Sequence, residues 1–292
     1  MLHMIIIILL FFSLWRAPLE PFSDVVQTSA PITESDELHP PTSQPAVETT
    51  TDTSHEDGVI DILNTLEAKG AQLNGFTADV TYAKEDELLG RREIRRGEVL
   101  YMKDGDNRQF AILFDTVIIN RRKENQLRHY VFDGQWLAEV DHANKQFIKQ
   151  QIVAPGQTLD PLRIGEGPIP LPIGQRREDV LRRFQVQRIP LPTEGPLLSL
   201  ANEKALTGLR LTSKPHTPEA EDFTYIDLFY DLKTGLPHGI YMVASNGDTK
   251  TVRLTELIAN PDFDDQQRAK LQIETPDSSE WSIDVRPWKG DA

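Results

Sequence analysis

A chain of 292 residues is long enough for one large domain or two small ones, and its lack of cysteine excludes disulfides, thiolate metal centres, cysteine nucleophiles and a lipid-modified N-terminal cysteine. The net charge of −14 is spread unevenly, because positions 18–57 hold nine acidic residues and neither lysine nor arginine. The remainder is only mildly acidic and has no basic stripe, which argues against nucleic acid and against anionic membrane surfaces as partners.

The first predicted element is the apolar run Met4–Leu14 (MIIIILLFFSL). As a helix it spans about 17 Å, against a hydrocarbon core of roughly 30 Å. It reads as the core of an export signal over residues 1–17, either removed or kept as a short anchor. Residues 18–57, rich in Pro, Thr, Ser and Glu, cannot bury enough surface to offset ordering entropy and read as a flexible acidic spacer.

The folded part, residues 58–260, is expected to open with an amphipathic helix. Val59, Ile62, Leu63 and Leu66 recur at helical spacing, and Gly70 stands where a C-cap glycine ends a helix. The period then changes to two: Phe76, Ala78, Val80 and Tyr82 alternate with Thr77, Asp79 and Thr81, as on a half-buried strand. Further strands are predicted at Arg91–Lys103, Gln109–Ile119, His129–Phe132, Trp136–Asp141 and Gln146–Val153. Asp104-Gly105 and Asp133-Gly134 supply the tight turns between neighbouring runs.

Residues 155–174 are crowded with proline and glycine and read as a long ordered loop. A short helix follows at Arg177–Phe184, then strands at Val186–Ile189, Gly208–Thr212, Thr224–Leu232, Gly239–Ser245 and Thr249–Ile258. Lys233-Thr234-Gly235 and Asn246-Gly247-Asp248 mark turns between the last three. The polar extension 261–292, broken by prolines, is expected to be loosely attached coil.

About ten antiparallel strands with so few helices imply a mainly β (α+β) fold: a strongly curved sheet or unclosed barrel with helices at its mouth. Phe110, Ile112 and Phe114 share one strand face, and Ile226, Leu228 and Tyr230 another, so the inside is apolar. Periodicity leaves open whether it is solid or hollow. No Gly-x-Ser-x-Gly elbow, His-Glu-x-x-His pair or phosphate-cradling glycine loop is present, so no catalytic, metal or cofactor site is expected.

Taken in order, several segments resemble the LolA-like periplasmic carriers of the outer-membrane lipoprotein-sorting family. They are Phe76–Val80 after the first helix, Asp133-Gly134…Trp136…Gln146, Leu211-Thr212-Ser213-Lys214, and Asp231-Leu232-Lys233-Thr234-Gly235-Leu236-Pro237. The resemblance implies an unclosed antiparallel β-barrel with a helical lid over an apolar cavity. It also implies a periplasmic, monomeric, non-enzymatic carrier that moves lipoprotein acyl chains or related lipids between membranes. Its partners would be acylated lipoproteins, an inner-membrane release machinery and an outer-membrane acceptor. The alternative within the same fold is a domain that senses envelope lipids or lipoproteins.

On that reading Phe110, Ile112, Phe114, Phe132, Trp136, Ile226 and Leu228 line the cavity, Leu63, Leu66, Leu181 and Phe184 form the underside of the lid, and Arg108 latches it. Each has a plainer alternative: Trp136 as a packed barrel aromatic, the helix residues as ordinary helix-on-sheet packing, and Arg108 as a solvated strand-end arginine.

Overall fold

The computed structural model describes residues 53–157, 159, 161–162 and 173–288. The expected export segment, most of the acidic spacer and the middle of the 155–174 loop lie outside the described residues.

Helix α1 (Thr53–Ala71) leads into β1 (Gly75–Asp86), β2 (Arg91–Asp104), β3 (Asn107–Ile119), β4 (Arg122–Phe132), β5 (Trp136–Asp141) and β6 (Gln146–Gln151). Then come α2 (Arg177–Arg183), β7 (Phe184–Ile189), a 3₁₀ turn (Leu198–Leu200), β8 (Leu206–Ser213) and α3 (Pro218–Asp222). The chain continues through β9 (Phe223–Asp231), β10 (Leu236–Ala244), β11 (Thr249–Ala259), α4 (Asp265–Lys270) and β12 (Ser282–Arg286). The strands form one sheet in the order β12-β6-β5-β4-β3-β2-β1-β11-β10-β9-β8-β7. Every neighbouring pair is antiparallel except β12 on β6. The end strands β7 and β12 are not paired with each other, so the barrel is unclosed.

Alternation places one set of side chains on an inner face beneath α1. Phe76, Val80, Tyr82, Val99, Tyr101, Phe110, Phe114, Phe132, Ile226, Leu228, Ile240 and Val252 form one continuous buried cluster with Val59, Ile62, Leu63 and Leu66 of α1. Fully burying such a side chain contributes about 1.5–3 kcal/mol, so this face dominates the stability of the fold. The hairpins are set by turn chemistry. Asp133 Oδ1 accepts from the amides of Gln135 (3.0 Å) and Trp136 (2.8 Å), and Gly134 takes φ 108°, which side chains rarely adopt.

The strand positions agree with the alternation, with one instructive exception. β4 begins at Arg122, well before the predicted His129, because its exposed, non-alternating first half (RKENQL) is held by pairing with Thr116–Ile119 of β3. Helix α1 likewise starts ahead of its apolar stripe, at Thr53. Gly70 does not terminate it. The helix runs on to Ala71, and Gly70 instead permits a close approach: a Cβ there would lie 2.0 Å from the Cα of Gly174. Phe184, expected on α2, is the first residue of β7, and its ring stacks on Phe223 at 5.9 Å.

The expectation of a loose C-terminal coil is overturned. After β11 the chain turns at Asn260, whose Oδ1 accepts from the amides of Asn74 (2.7 Å) and Gly75 (3.3 Å). It then crosses the outer face of the sheet as a strap. Asp264 and Gln267 cap α4 reciprocally, at 2.8 and 3.0 Å. Leu271 is fully buried against Leu100, Met102, Ala111 and Val131, with Phe263 and Ile273 beside it. The strap ends as β12, in parallel register on β6. Its apolar residues are too sparse to show a period, since each packs singly onto a sheet that supplies the rest of the cluster. At the other end of the outer face Leu197, Leu200, Leu206 and Phe229 form a separate cluster. There Glu203 ties the β7–β8 connection to Arg253 and to His238 Nδ1 (3.1 Å).

Candidate functional site

The inner face has two parts, an apolar floor and a charged end. Phe110 and Phe132 lie at 5.7 Å between ring centroids, Phe114 and Tyr130 at 6.4 Å, Tyr82 and Phe114 at 6.4 Å, and Phe76 and Tyr101 at 5.8 Å. Of the residues predicted to line the interior, Phe110, Ile112, Phe114, Phe132, Ile226 and Leu228 all belong to this one cluster. Leu63, Leu66 and Phe184 are buried in it, and Leu181 packs against its margin.

Trp136 is placed elsewhere. Phe132 pairs with Leu137, so Leu137 shares the inner face while Trp136 points outward with Ala138. Its ring lies under Lys149 Nζ, 5.0 Å from the centroid. The Asp133-Gly134 turn fixes the parity, and with it the face. Arg108 is half-buried on the same side as Phe110, near the β2–β3 hairpin, opposite Lys103 in register.

The charged end was not foreseen. On β2, β4 and β5 the inner-face alternation continues from apolar residues into Arg95, Arg128, Glu139 and Asp141. Arg95 is 5% exposed, and its Nε donates to Glu93 Oε1 at 2.6 Å while Nη1 donates to Gln126 Oε1 at 3.3 Å. Arg128 pairs with Asp141 and lies 3.6 Å from Glu139, which accepts from Tyr130 Oη at 3.3 Å. Burial pushes the Glu139 carboxyl up, offset only in part by Arg128 and Tyr130. Burial also works against ionisation of Asp141, but the Asn144 amide and Arg128 outweigh it and hold that carboxyl below its usual range. The signal was present in the pairs Arg128/Tyr130 and Glu139/Asp141, whose parity matches the apolar residues beside them. It becomes legible only once the turn between β4 and β5 is registered.

The inner face thus runs from an apolar floor into the paired, partly desolvated charges around Arg95 and Arg128. Among the described residues, no group of three or more His, Asp or Glu is arranged to hold a metal ion.

On the outer face, a groove of about 1070 Å³ lies between β1–β5 and the strap, lined by Leu113, His129, Val140, His142, Ile273 and Trp281 among others. The His129 and His142 rings lie 4.9 Å apart, and Trp281 of the strap meets His142 edge-on at 5.3 Å. Burial, and to a smaller extent His142, holds His129 down at about 4, against the weaker upward pull of Glu98. A histidine kept neutral by folding adds stability that is complete above its unfolded value near 6.5 and is lost as pH falls towards 4. Allowing for solvent screening, the loss is of order 1–2 kcal/mol. The protection factors of amides in residues 277–286, taken against the intrinsic exchange rate at each pH, are therefore expected to fall between pH 6.5 and 4.5 in wild type and much less in His129→Gln. Equal protection of the strap across that range would show that His129 does not couple to it.

No protein-family model matches the chain, and no curated protein matches it. Among solved structures it is similar to an uncharacterized conserved protein from Thermus thermophilus, at 10% identity over 78% of this chain and 99% of that chain, with a TM-score of 0.41. It is similar to Pseudomonas aeruginosa MucB in its complex with MucA, at 15% identity over 75% of this chain, with a TM-score of 0.40; it spans 64% of that chain. It is also similar to the LolA superfamily protein NE2245 from Nitrosomonas europaea, at 12% identity over 70% of this chain and 94% of that chain, with a TM-score of 0.29.

Proposed function

We propose that this chain is a non-enzymatic protein of the cell envelope that shelters the acyl chains of lipoproteins or related lipids on its inner face and carries them between membranes. The observation that carries this reading is the continuity of the apolar floor, packed against Val59, Ile62, Leu63 and Leu66 of α1, with the buried ion pairs of β4 and β5.

The energetics suit reversible loading. Each methylene removed from water contributes about 0.8 kcal/mol, so a chain of about sixteen carbons gains on the order of 12 kcal/mol. Admitting it requires α1 to give up the contacts of Val59, Ile62, Leu63 and Leu66. Four such side chains represent about 6–12 kcal/mol. The two terms are comparable, so cargo and helix exchange for one another without either state becoming a trap. Acylated lipoproteins are the cargo in this scheme, with an inner-membrane release machinery and an outer-membrane acceptor at its ends. Arg108, at the far end of the floor from the charged cluster, latches the closed form.

Native mass spectrometry with a synthetic diacylated lipopeptide tests the proposal. A one-to-one adduct is expected, and the same peptide without its acyl chains should give none. Absence of the adduct at micromolar lipopeptide would remove the acyl-binding reading.

A further inference from the structure

The two most exposed large apolar side chains of the described residues stand together at one place, the tip of the β1–β2 hairpin. Leu88 is 92% exposed and Leu89 68%. The turn that presents them is ordered, with Asp86 Oδ1 accepting from the Leu89 amide at 2.8 Å and Gly90 at φ 59°. Two leucines held in water by a built turn are a feature that packing among the described residues does not explain.

Cations surround them. Arg91 and Arg92 follow directly, and the β3–β4 hairpin brings Arg121, Arg122 and Lys123 to the same end, since β2 Glu93 pairs with Ile119 at the base of that turn. All five are exposed, and none makes an ion pair among the described residues. Asn120 and Arg121 both adopt positive φ, 51° and 65°. Arginine is thus kept at a turn position that glycine or asparagine occupies with less strain. The carboxylates nearby are Glu85, opposite Arg92, Asp86, engaged with the turn amide, Glu87, Asp248, which accepts from the Glu87 amide at 3.2 Å and lies 3.8 Å from Lys84, Glu93, engaged with Arg95, and Glu124, below the second tip. Composition showed no basic stripe because this one is assembled from two separate hairpins.

We propose that these two hairpin tips dock the protein on an anionic phospholipid bilayer, with Leu88 and Leu89 entering the interface and Arg91, Arg92, Arg121, Arg122 and Lys123 contacting lipid phosphates. Exposed apolar groups ringed by Arg and Lys are the pattern that binds such a surface, apolar burial and charge attraction adding together. Arg95 and Arg128 lie along the same strands, so the docked end is also the charged end of the inner face. The proposal stands whether or not the interior holds lipid.

Because the chain lacks cysteine, Leu88→Cys in the full chain accepts a single environment-sensitive fluorophore, with Gln187→Cys on edge strand β7 as the control. Vesicles of phosphatidylglycerol and phosphatidylcholine in equal parts are expected to blue-shift the label at position 88 and leave that at 187 in water. Pure phosphatidylcholine should shift neither. Arg121→Glu/Arg122→Glu should weaken vesicle binding at least tenfold, and Leu88→Ser/Leu89→Ser several-fold, and high salt should reduce it in wild type. Three results overturn the proposal: no binding to the anionic vesicles, binding with the label at 88 still in water, or binding indifferent to both double variants. Either of the last two would assign the tips to a protein partner or membrane contact to another part of the chain.

Discussion

Asp141→Ala is expected to destabilise the fold by about 3–5 kcal/mol, measured as a fall in the urea midpoint at unchanged m-value. The Asp141 side chain is 1% exposed and faces Arg128, whose guanidinium is itself largely covered. Removing Asp141 leaves the buried Arg128 charge with only Glu139, 3.6 Å away and pushed by burial towards its neutral form, and the cost of a partly uncompensated charge exceeds the net worth of the pair. Asp141 also accepts from the amides of Ala143 and Asn144, both at 3.1 Å, and so organises the β5–β6 turn. Asp141→Asn should fall between Ala and wild type, since it keeps an acceptor for those amides and loses the charge. A loss below about 1 kcal/mol for Asp141→Ala would mean that water reaches Arg128 freely, and the charged end would then be an ordinary surface cluster.

The second large effect is expected at Gly97. A Cβ at this position would lie 2.0 Å from the carbonyl oxygen of Leu113 and 2.7 Å from the Cα of Phe114. Both are backbone atoms of the neighbouring strand, so no rotamer change relieves the clash. The contact coincides with the irregularity where Gly97 pairs with Phe114 while Arg96 pairs with Thr116, leaving Asp115 as the extra residue. This bulge bends β2 and β3 together, and it lies between the apolar floor and the charged end. Gly97→Ala should therefore cost about 3 kcal/mol and separate β2 from β3 locally, seen as loss of amide protection on both strands. A variant as stable as wild type, with that protection intact, would show that the sheet relaxes there without strain.

The parts of this molecule legible in the sequence are those fixed by short-range patterns. Strict alternation locates β1 and the core of β3, and Asp-Gly dipeptides locate the β2–β3 and β4–β5 turns, because both follow from local backbone geometry. The inner-face assignment of Phe110, Phe114, Ile226 and Leu228 followed from the same period. What was not legible depends on partners distant in sequence. The first half of β4 is a strand only because β3 offers it a ladder. Leu271 and Trp281 look isolated until the outer face is built. The family resemblance implies an interior Trp136, whereas its face is decided by counting residues through the Asp133-Gly134 turn. The charged end escaped for a related reason: Arg95, Arg128, Glu139 and Asp141 read one by one as surface charges, and only sheet register brings them together.

If cargo enters as proposed, it must lie between α1 and the sheet, so the separation of those two elements is the quantity to measure. Spin labels at Asp61→Cys on α1 and Asp115→Cys on the β3 bulge report it, in a chain with no other cysteine. Adding the diacylated lipopeptide should lengthen the distance by about 4 Å or more, the thickness of one hydrocarbon layer in van der Waals contact. Stoichiometric binding with an unchanged distance would contradict loading beneath the helix.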